Sequence, residues 1–217
     1  MTNYKVILFD LDGTLSDPRL GITRCVQYGL RKMGIDEPDL EKLNDFIGPP
    51  LQETFAEQYH FSEDEIKQVI GYYRERFKEV GMFENELYPE VMELLSELQS
   101  SSCKLVVATS KPTVFAEEIL TYFKIDAFFD MVVGSYLDGT RSAKTEIIEA
   151  VMEEFKDFYK SDFVMIGDRK HDIVGAKNVG IDSVGVTYGY GTMEELLQVN
   201  PTYIVHSVKE LREILEA

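Results

Sequence analysis

The sequence predicts an α/β fold: a doubly wound, mainly parallel sheet carrying an inserted all-helical domain. Short apolar runs rich in β-branched and aromatic residues alternate, along most of the chain, with stretches of helical spacing. One long interval after the first run breaks this alternation and shows helical spacing only. A length of 217 residues, with 44% hydrophobic and 28% charged, allows an ordinary core in one large domain, or in one domain with a smaller companion.

The first run, residues 5–9 (KVILF), is apolar at successive positions, as a strand covered by helices on both faces must be. The same pattern marks strands at 104–108, 131–134, 163–166, 183–186 and 203–205. Between and after them, 89–98, 112–123, 144–155, 173–179, 193–199 and 208–215 carry amphipathic helical spacing. Some open on Pro, Ser or Thr, which suit a first turn because Pro needs no N–H partner there and a hydroxyl can accept a free N–H. Residues 15–88 show no convincing strand. Ile22, Val26, Leu30 and Met33 recur at helical spacing, as do Ile66, Val69, Ile70, Tyr73 and Phe77. A βαβ crossover needs far fewer residues, so 15–88 reads as a helical insertion, and 1–14 with 89–217 as the α/β core.

The 22 basic and 39 acidic residues give a formal charge of −17. Such a surface repels phosphate backbones and anionic headgroups, which argues against nucleic acid or a membrane as partner. A small anionic substrate meets the same field, so its site needs compensation by a metal ion, a lysine or helix N-termini. Cys25 and Cys103 are too few and too isolated for a disulfide framework or a thiolate zinc site, and read as free thiols. The opening MTNYKVILFDLDGTL has the pattern of neither a signal peptide nor a membrane span, and the cytoplasm is the expected address.

Polar residues collect at the carboxyl ends of the expected strands, where open α/β sheets bind ligands. Asp10 and Asp12 lie two apart after the first strand. One can serve as nucleophile or metal ligand and the other as proton-transfer group, or the pair can form an Asx-type turn that uses Gly13. After the second strand Thr109, followed by Ser110, either donates to a ligand held by Asp10 or starts a helix. Lys144 opens a helix, where a cation is unfavourable; it faces an anionic partner or lies solvated on the surface. Asp168 and Asp172, four apart across a helix start, suit an oxygen-seeking ion such as Mg²⁺ or simply cap the helix. His60, His171 and His206 have no metal-ligand spacing, and the glycine-rich 188–191 segment (YGYG) reads as a loop after the fifth strand.

Together, Val6 to Leu15, Thr109, Lys144 and Gly167 to Asp172 resemble the four motifs of the haloacid dehalogenase superfamily of phosphatases, in order and over nearly the whole chain. The helical interval lies where one subfamily carries a four-helix cap. Within the superfamily the chain is similar to the phosphoglycolate phosphatases and a 5′-nucleotidase branch, through Phe46 to Leu51, Thr109-Ser110-Lys111 and Gly167 to Asp172. Typical phosphoglycolate phosphatases carry Asn where Ser110 stands and Ser where Arg169 stands. The second motif aspartate, Asp12, separates the chain from the dehalogenases.

The resemblance implies Asp10 as nucleophile, Asp12 as general acid and base, and Thr109 and Lys144 as phosphoryl-binding groups. It also implies Mg²⁺ as cofactor, held by the Asp10 carboxylate, the Asp12 carbonyl, Asp168 and Asp172. The expected activity is hydrolysis of a small phosphorylated metabolite through an aspartyl-phosphate, by a monomer or small homo-oligomer. Ser110, Arg24, Gly48 and Arg141 are candidates for contacting the substrate. A phosphomutase using the same aspartates, or a non-catalytic binding module on this fold, is the alternative.

Overall fold

The computed structural model describes residues 4–216; residues 1–3 and 217, which the expected core boundaries take in, lie outside them. In chain order the strands are β1 (Val6–Phe9), β2 (Ser16–Asp17), β3 (Glu86–Leu87), β4 (Lys104–Pro112), β5 (Met131–Ser135), β6 (Phe163–Gly167), β7 (Asp182–Val186) and β8 (Tyr203–Val205). The helices are α1 (Arg19–Lys32), α2 (Leu51–Tyr59), α3 (Glu63–Glu79), α4 (Val91–Gln99), α5 (Thr113–Phe123), α6 (Lys144–Glu154), α7 (Lys170–Val179), α8 (Met193–Val199) and α9 (Val208–Glu216). Two compact units share the chain: one runs to Asp17 and resumes at Leu87, and the other is Pro18–Glu86.

The first unit is built on a six-stranded sheet in the order β5-β4-β1-β6-β7-β8, with every neighbouring pair parallel. Val6 and Leu8 join Val106, Ala108, Phe163 and Met165 on one face, packed against Ile147, Ile148 and Val151 of α6 and Ala176 and Val179 of α7. The alternate residues Ile7, Phe9, Leu105 and Val107 point to the other face, and are at most 1% exposed. Both faces are covered, so these strands read as unbroken apolar runs rather than alternating ones.

β1 lies between β4 and β6, the point at which strand order reverses. Its last residue, Phe9, stands opposite Val107 on one side and Ile166 on the other, so β1 and β6 end together while β4 runs on beyond them. A ligand crevice forms at such a switch point because the connections on its two sides run in opposite directions.

Two expectations need correction. The second expected strand, 104–108, runs on to Pro112, and its register with β5 slips between Ala108 and Pro112. Such an irregularity twists the strand and re-aims the side chains within it, here Thr109, Ser110 and Lys111. The expected strand-free interval also contains β2 and β3, which pair as a separate two-stranded sheet. Two residues are too few to show the period of a strand.

The helical unit has, among the described residues, three α-helices (α1, α2 and α3) and two 3₁₀ segments, Leu40–Phe46 and Gly81–Phe83, where the resemblance implied four helices. α3 starts at a capping box: the Glu65 N–H donates to the Ser62 hydroxyl, and the Ser62 N–H donates to the Glu65 carboxylate. α1 packs on α3, with Ile22, Val26 and Leu30 buried on α1 and Val69, Ile70, Tyr73 and Phe77 on α3. No helix of the described residues is long and apolar enough to cross a membrane.

Candidate active site

The turn after β1 sets the first two carboxylates. The Asp10 N–H donates to the Ile166 carbonyl at 2.9 Å, extending the β1–β6 ladder by one bond. The chain then turns tightly, with Leu15 and Ser16 both donating to the Leu11 carbonyl. Gly13 adopts φ +85, and a Cβ there would meet Asp168 Oδ2 at 2.2 Å, so conformation and space both require glycine. Asp10 and Asp12 are buried.

Lys144, the first residue of α6, is also buried and reaches back to the sheet edge. Its Nζ donates to Asp10 Oδ1 at 3.0 Å, Asp172 Oδ1 at 2.7 Å and the Ala108 carbonyl at 2.9 Å. An ammonium has three N–H groups, and these acceptors satisfy all of them. Burial by itself disfavours the ammonium, but Asp10 and Asp172 outweigh it and hold Lys144 above the ordinary lysine range. The unfavourable helix-start position is thus answered by two carboxylates.

Asp168 follows β6 and is fully buried. Its Oδ2 accepts the Tyr190 N–H at 2.7 Å, while its Oδ1 has no hydrogen-bond partner. Burial, then the nearby Asp172 and Asp10, push its carboxyl well above the usual carboxylate range. Asp172 on α7 accepts the Arg169 N–H at 3.1 Å besides its ion pair. Burial and Asp10 push Asp172 up to about 6 despite Lys144.

The carboxylate oxygens of Asp10, Asp168 and Asp172 come within 4.8 Å of one another. Four buried carboxylates, counting Asp12, face two ammonium groups, Lys111 and Lys144. With all four ionised, two negative charges are left uncompensated. An all-oxygen donor set, an unpartnered buried oxygen and that imbalance fit a hard divalent cation.

Lys111 was not singled out from the sequence. Its Nζ lies 2.8 Å from Asp12 Oδ2, with both side chains under 10% exposed. The missing signal is long-range: β4 must lie beside β1, with its end re-aimed, before a lysine after Ser110 can meet Asp12. The 188–191 segment was read only as a loop, yet it packs on the site. The Tyr190 N–H holds Asp168, the Tyr190 hydroxyl donates to Asp17 Oδ1, and the Tyr188 hydroxyl donates to the Thr14 carbonyl at 3.1 Å. A Cβ on Gly191 would fall 1.8 Å from the Asp168 carbonyl oxygen. The glycines here admit protein backbone, which is why no ligand motif matched them.

The other candidates occupy distinct settings. Thr109 is buried, and its Oγ1 accepts the Lys111 N–H at 3.3 Å, leaving its own O–H to donate. The Ser110 hydroxyl donates to the Ser142 carbonyl at 3.0 Å, and the Ser110 carbonyl accepts from the Ser135 hydroxyl at 2.9 Å, tying β4 to the segment before α6. Arg141, at φ 53, donates from Nε to the Gly134 carbonyl and stacks on the Tyr136 ring 4.1 Å from its centroid. In the helical unit Arg24 pairs with Glu84 at 2.6 Å, which also holds Arg76. Gly48 there has φ +101, in the turn before α2.

The chain is similar to known proteins over nearly its whole length. The family model for haloacid dehalogenase-like hydrolases matches residues 7–186. A protein of Pseudomonas aeruginosa named 5′-nucleotidase is 46% identical over 99% of this chain and 96% of its own length. The tyrosine-protein kinase PtkA of Mycobacterium tuberculosis is 32% identical over 97% of this chain and 72% of its own. A phosphoglycolate phosphatase of Vibrio parahaemolyticus is 30% identical over 98% and 96%. The crystal structure of a predicted phosphatase from Clostridium acetobutylicum superimposes with a TM-score of 0.95 at 49% identity, covering 99% of both chains. The chain belongs to the haloacid dehalogenase-like hydrolase family, as an enzyme among that family's phosphatases.

Proposed function

We propose that this hydrolase is a Mg²⁺-dependent phosphomonoesterase that acts on a small phosphorylated metabolite through an aspartyl-phosphate on Asp10. The observation that carries the reading is Lys144 joining Asp10 to Asp172 beside the unpartnered Asp168 oxygen. The Asp10 carboxylate attacks phosphorus as the bond to the ester oxygen breaks, and Asp12 gives that oxygen its proton. In the second half Asp12 takes a proton from water, the water oxygen attacks phosphorus, and the bond to Asp10 breaks to release inorganic phosphate. The Thr109 hydroxyl binds a phosphoryl oxygen, and Lys144 restrains the Asp10 charge and binds a second phosphoryl oxygen by exchanging one of its three present acceptors for it. Asp10, Asp168, Asp172 and the Asp12 carbonyl would hold Mg²⁺, which would supply positive charge to the phosphoryl oxygens.

The relatives named 5′-nucleotidase and phosphoglycolate phosphatase support nucleoside 5′-monophosphates and 2-phosphoglycolate as the substrates to try first. Arg24, Gly48, Ser110 and Arg141 are the specificity candidates, and the reading takes the cytoplasm as place of action. The relative named tyrosine-protein kinase favours a second reading, in which Asp10 passes its phosphoryl group to an acceptor other than water. A panel of nucleoside monophosphates, 2-phosphoglycolate and sugar phosphates, assayed for free phosphate with Mg²⁺, separates the two. Stoichiometric phosphate release that disappears in Asp10→Asn supports hydrolysis, whereas phosphate retained on an added acceptor supports transfer.

A further inference from the structure

We propose that Lys111 is a positioning residue for proton transfer, one that fixes the Asp12 carboxylate so that a single oxygen, Oδ1, faces the leaving group. The inference rests on the phosphatase reading and adds to it a residue outside the four motifs.

Three observations converge. Lys111 Nζ holds Asp12 Oδ2 at 2.8 Å, and the two side chains are only 7% and 9% exposed. A buried charge pair of this kind is difficult to rotate, because either partner alone would be left uncompensated in a poorly solvated place. The second oxygen, Asp12 Oδ1, is buried and has no hydrogen-bond partner. The carboxylate is therefore clamped at one end and unengaged at the other. Third, Lys111 lies in the irregular end of β4, where the register with β5 slips, and its own N–H donates to the Thr109 hydroxyl. That bond links the clamp to a residue expected to touch the phosphoryl group, so the cation is anchored on the site's own scaffold.

A carboxylate shuttling a proton works best when the transferring oxygen is held in line with the ester oxygen, and such transfer is worth roughly 10²–10⁴-fold. Loss of the clamp should therefore scale with how much the leaving group needs a proton. A good leaving group such as p-nitrophenolate needs little, and an alkoxide needs much.

The test is kcat/KM for alkyl and aryl phosphates across a range of leaving-group basicity, with Mg²⁺, for wild type, Lys111→Met and Lys111→Arg, alongside inhibition by inorganic phosphate. The expected result is a loss in Lys111→Met larger on alkyl phosphates than on p-nitrophenyl phosphate by roughly tenfold or more. Lys111→Arg should recover part of it, with phosphate inhibition unchanged. In an Asp12→Asn background, where no carboxylate remains to orient, adding Lys111→Met should lower p-nitrophenyl phosphate turnover by less than about twofold. If Lys111→Met does not fold, Lys111→Arg must show the same leaving-group bias in smaller measure.

An equal loss on every ester would overturn the inference, as would weakened phosphate inhibition without leaving-group bias, which would make Lys111 a direct phosphate ligand. Those outcomes leave the phosphatase reading standing. A wild-type protein inert towards every ester would overturn that reading and this inference together.

Discussion

Asp168 concentrates the physical argument in one side chain. It is fully buried, its Oδ1 has no partner, and Lys144 of the same site is already shared by two other carboxylates. In chelated protein it is a cost, which Asp168→Asn removes while its side-chain carbonyl still accepts the Tyr190 N–H. Urea unfolding of chelated Asp168→Asn, at a pH above the raised Asp168 range, should show stability higher by about 1 kcal/mol or more, together with loss of the response to added Mg²⁺. A variant less stable than wild type under chelation would mean that the carboxylate is already compensated. The same residues set a pH dependence. Burial raises the carboxyls of Asp168 and Asp172 above their ordinary 3.8, Asp172 to about 6. The folded chain then binds more protons than the unfolded chain between those values, so this contribution to stability is full below the ordinary value and is lost as pH rises through the raised ones. Chelated protein should lose stability as pH rises through about 6, where Asp172 titrates, and further as it passes through the raised Asp168 range, and Asp168→Asn should flatten the profile. An unchanged slope in that variant would contradict the assignment.

Among the elements, the sheet was legible and its accessories were not. β1, β4 and β6 announce themselves because both faces are buried, so a run such as VILF needs no knowledge of its neighbours. The placement of Asp10, Lys144 and Asp168 at strand or helix ends followed from that, whereas Thr109, expected just after its strand, lies within β4. Lys111 and the 188–191 segment depend on which strands become neighbours and on the slip in β4, neither of which leaves a local pattern. β2 and β3 are shorter than any period that could reveal them. The 188–191 segment also yields a prediction at this scale. Gly191→Ala drives a Cβ toward the Asp168 carbonyl oxygen, 1.8 Å away in the present backbone, so the loop must move and the Tyr190 N–H must leave Asp168. The expected cost is about 1–3 kcal/mol of stability, with weakened Mg²⁺ affinity measured by titration calorimetry. Unchanged affinity would show that the loop does not hold the carboxylate.

Across the whole molecule, the charge of −17 and the site follow one logic. A strongly acidic protein can attract a phosphate ester only where local positive charge exceeds the general field, and the two lysines alone leave the four carboxylates, when all are ionised, short by two charges. Binding of Mg²⁺ to the folded chain alone should stabilise it by about 2.7 kcal/mol at a hundredfold excess over Kd, in line with the Asp168→Asn comparison. Nucleophilic attack by Asp10 is tested by trapping the enzyme during turnover. Protein is mixed with Mg²⁺ and a radiolabelled phosphomonoester, quenched in acid and digested. Label should appear on the peptide containing Asp10, be removed by hydroxylamine as an acyl phosphate is, and be absent from Asp10→Asn or chelated protein. Rapid hydrolysis with no label on that peptide, or label that persists in Asp10→Asn, would contradict that attack.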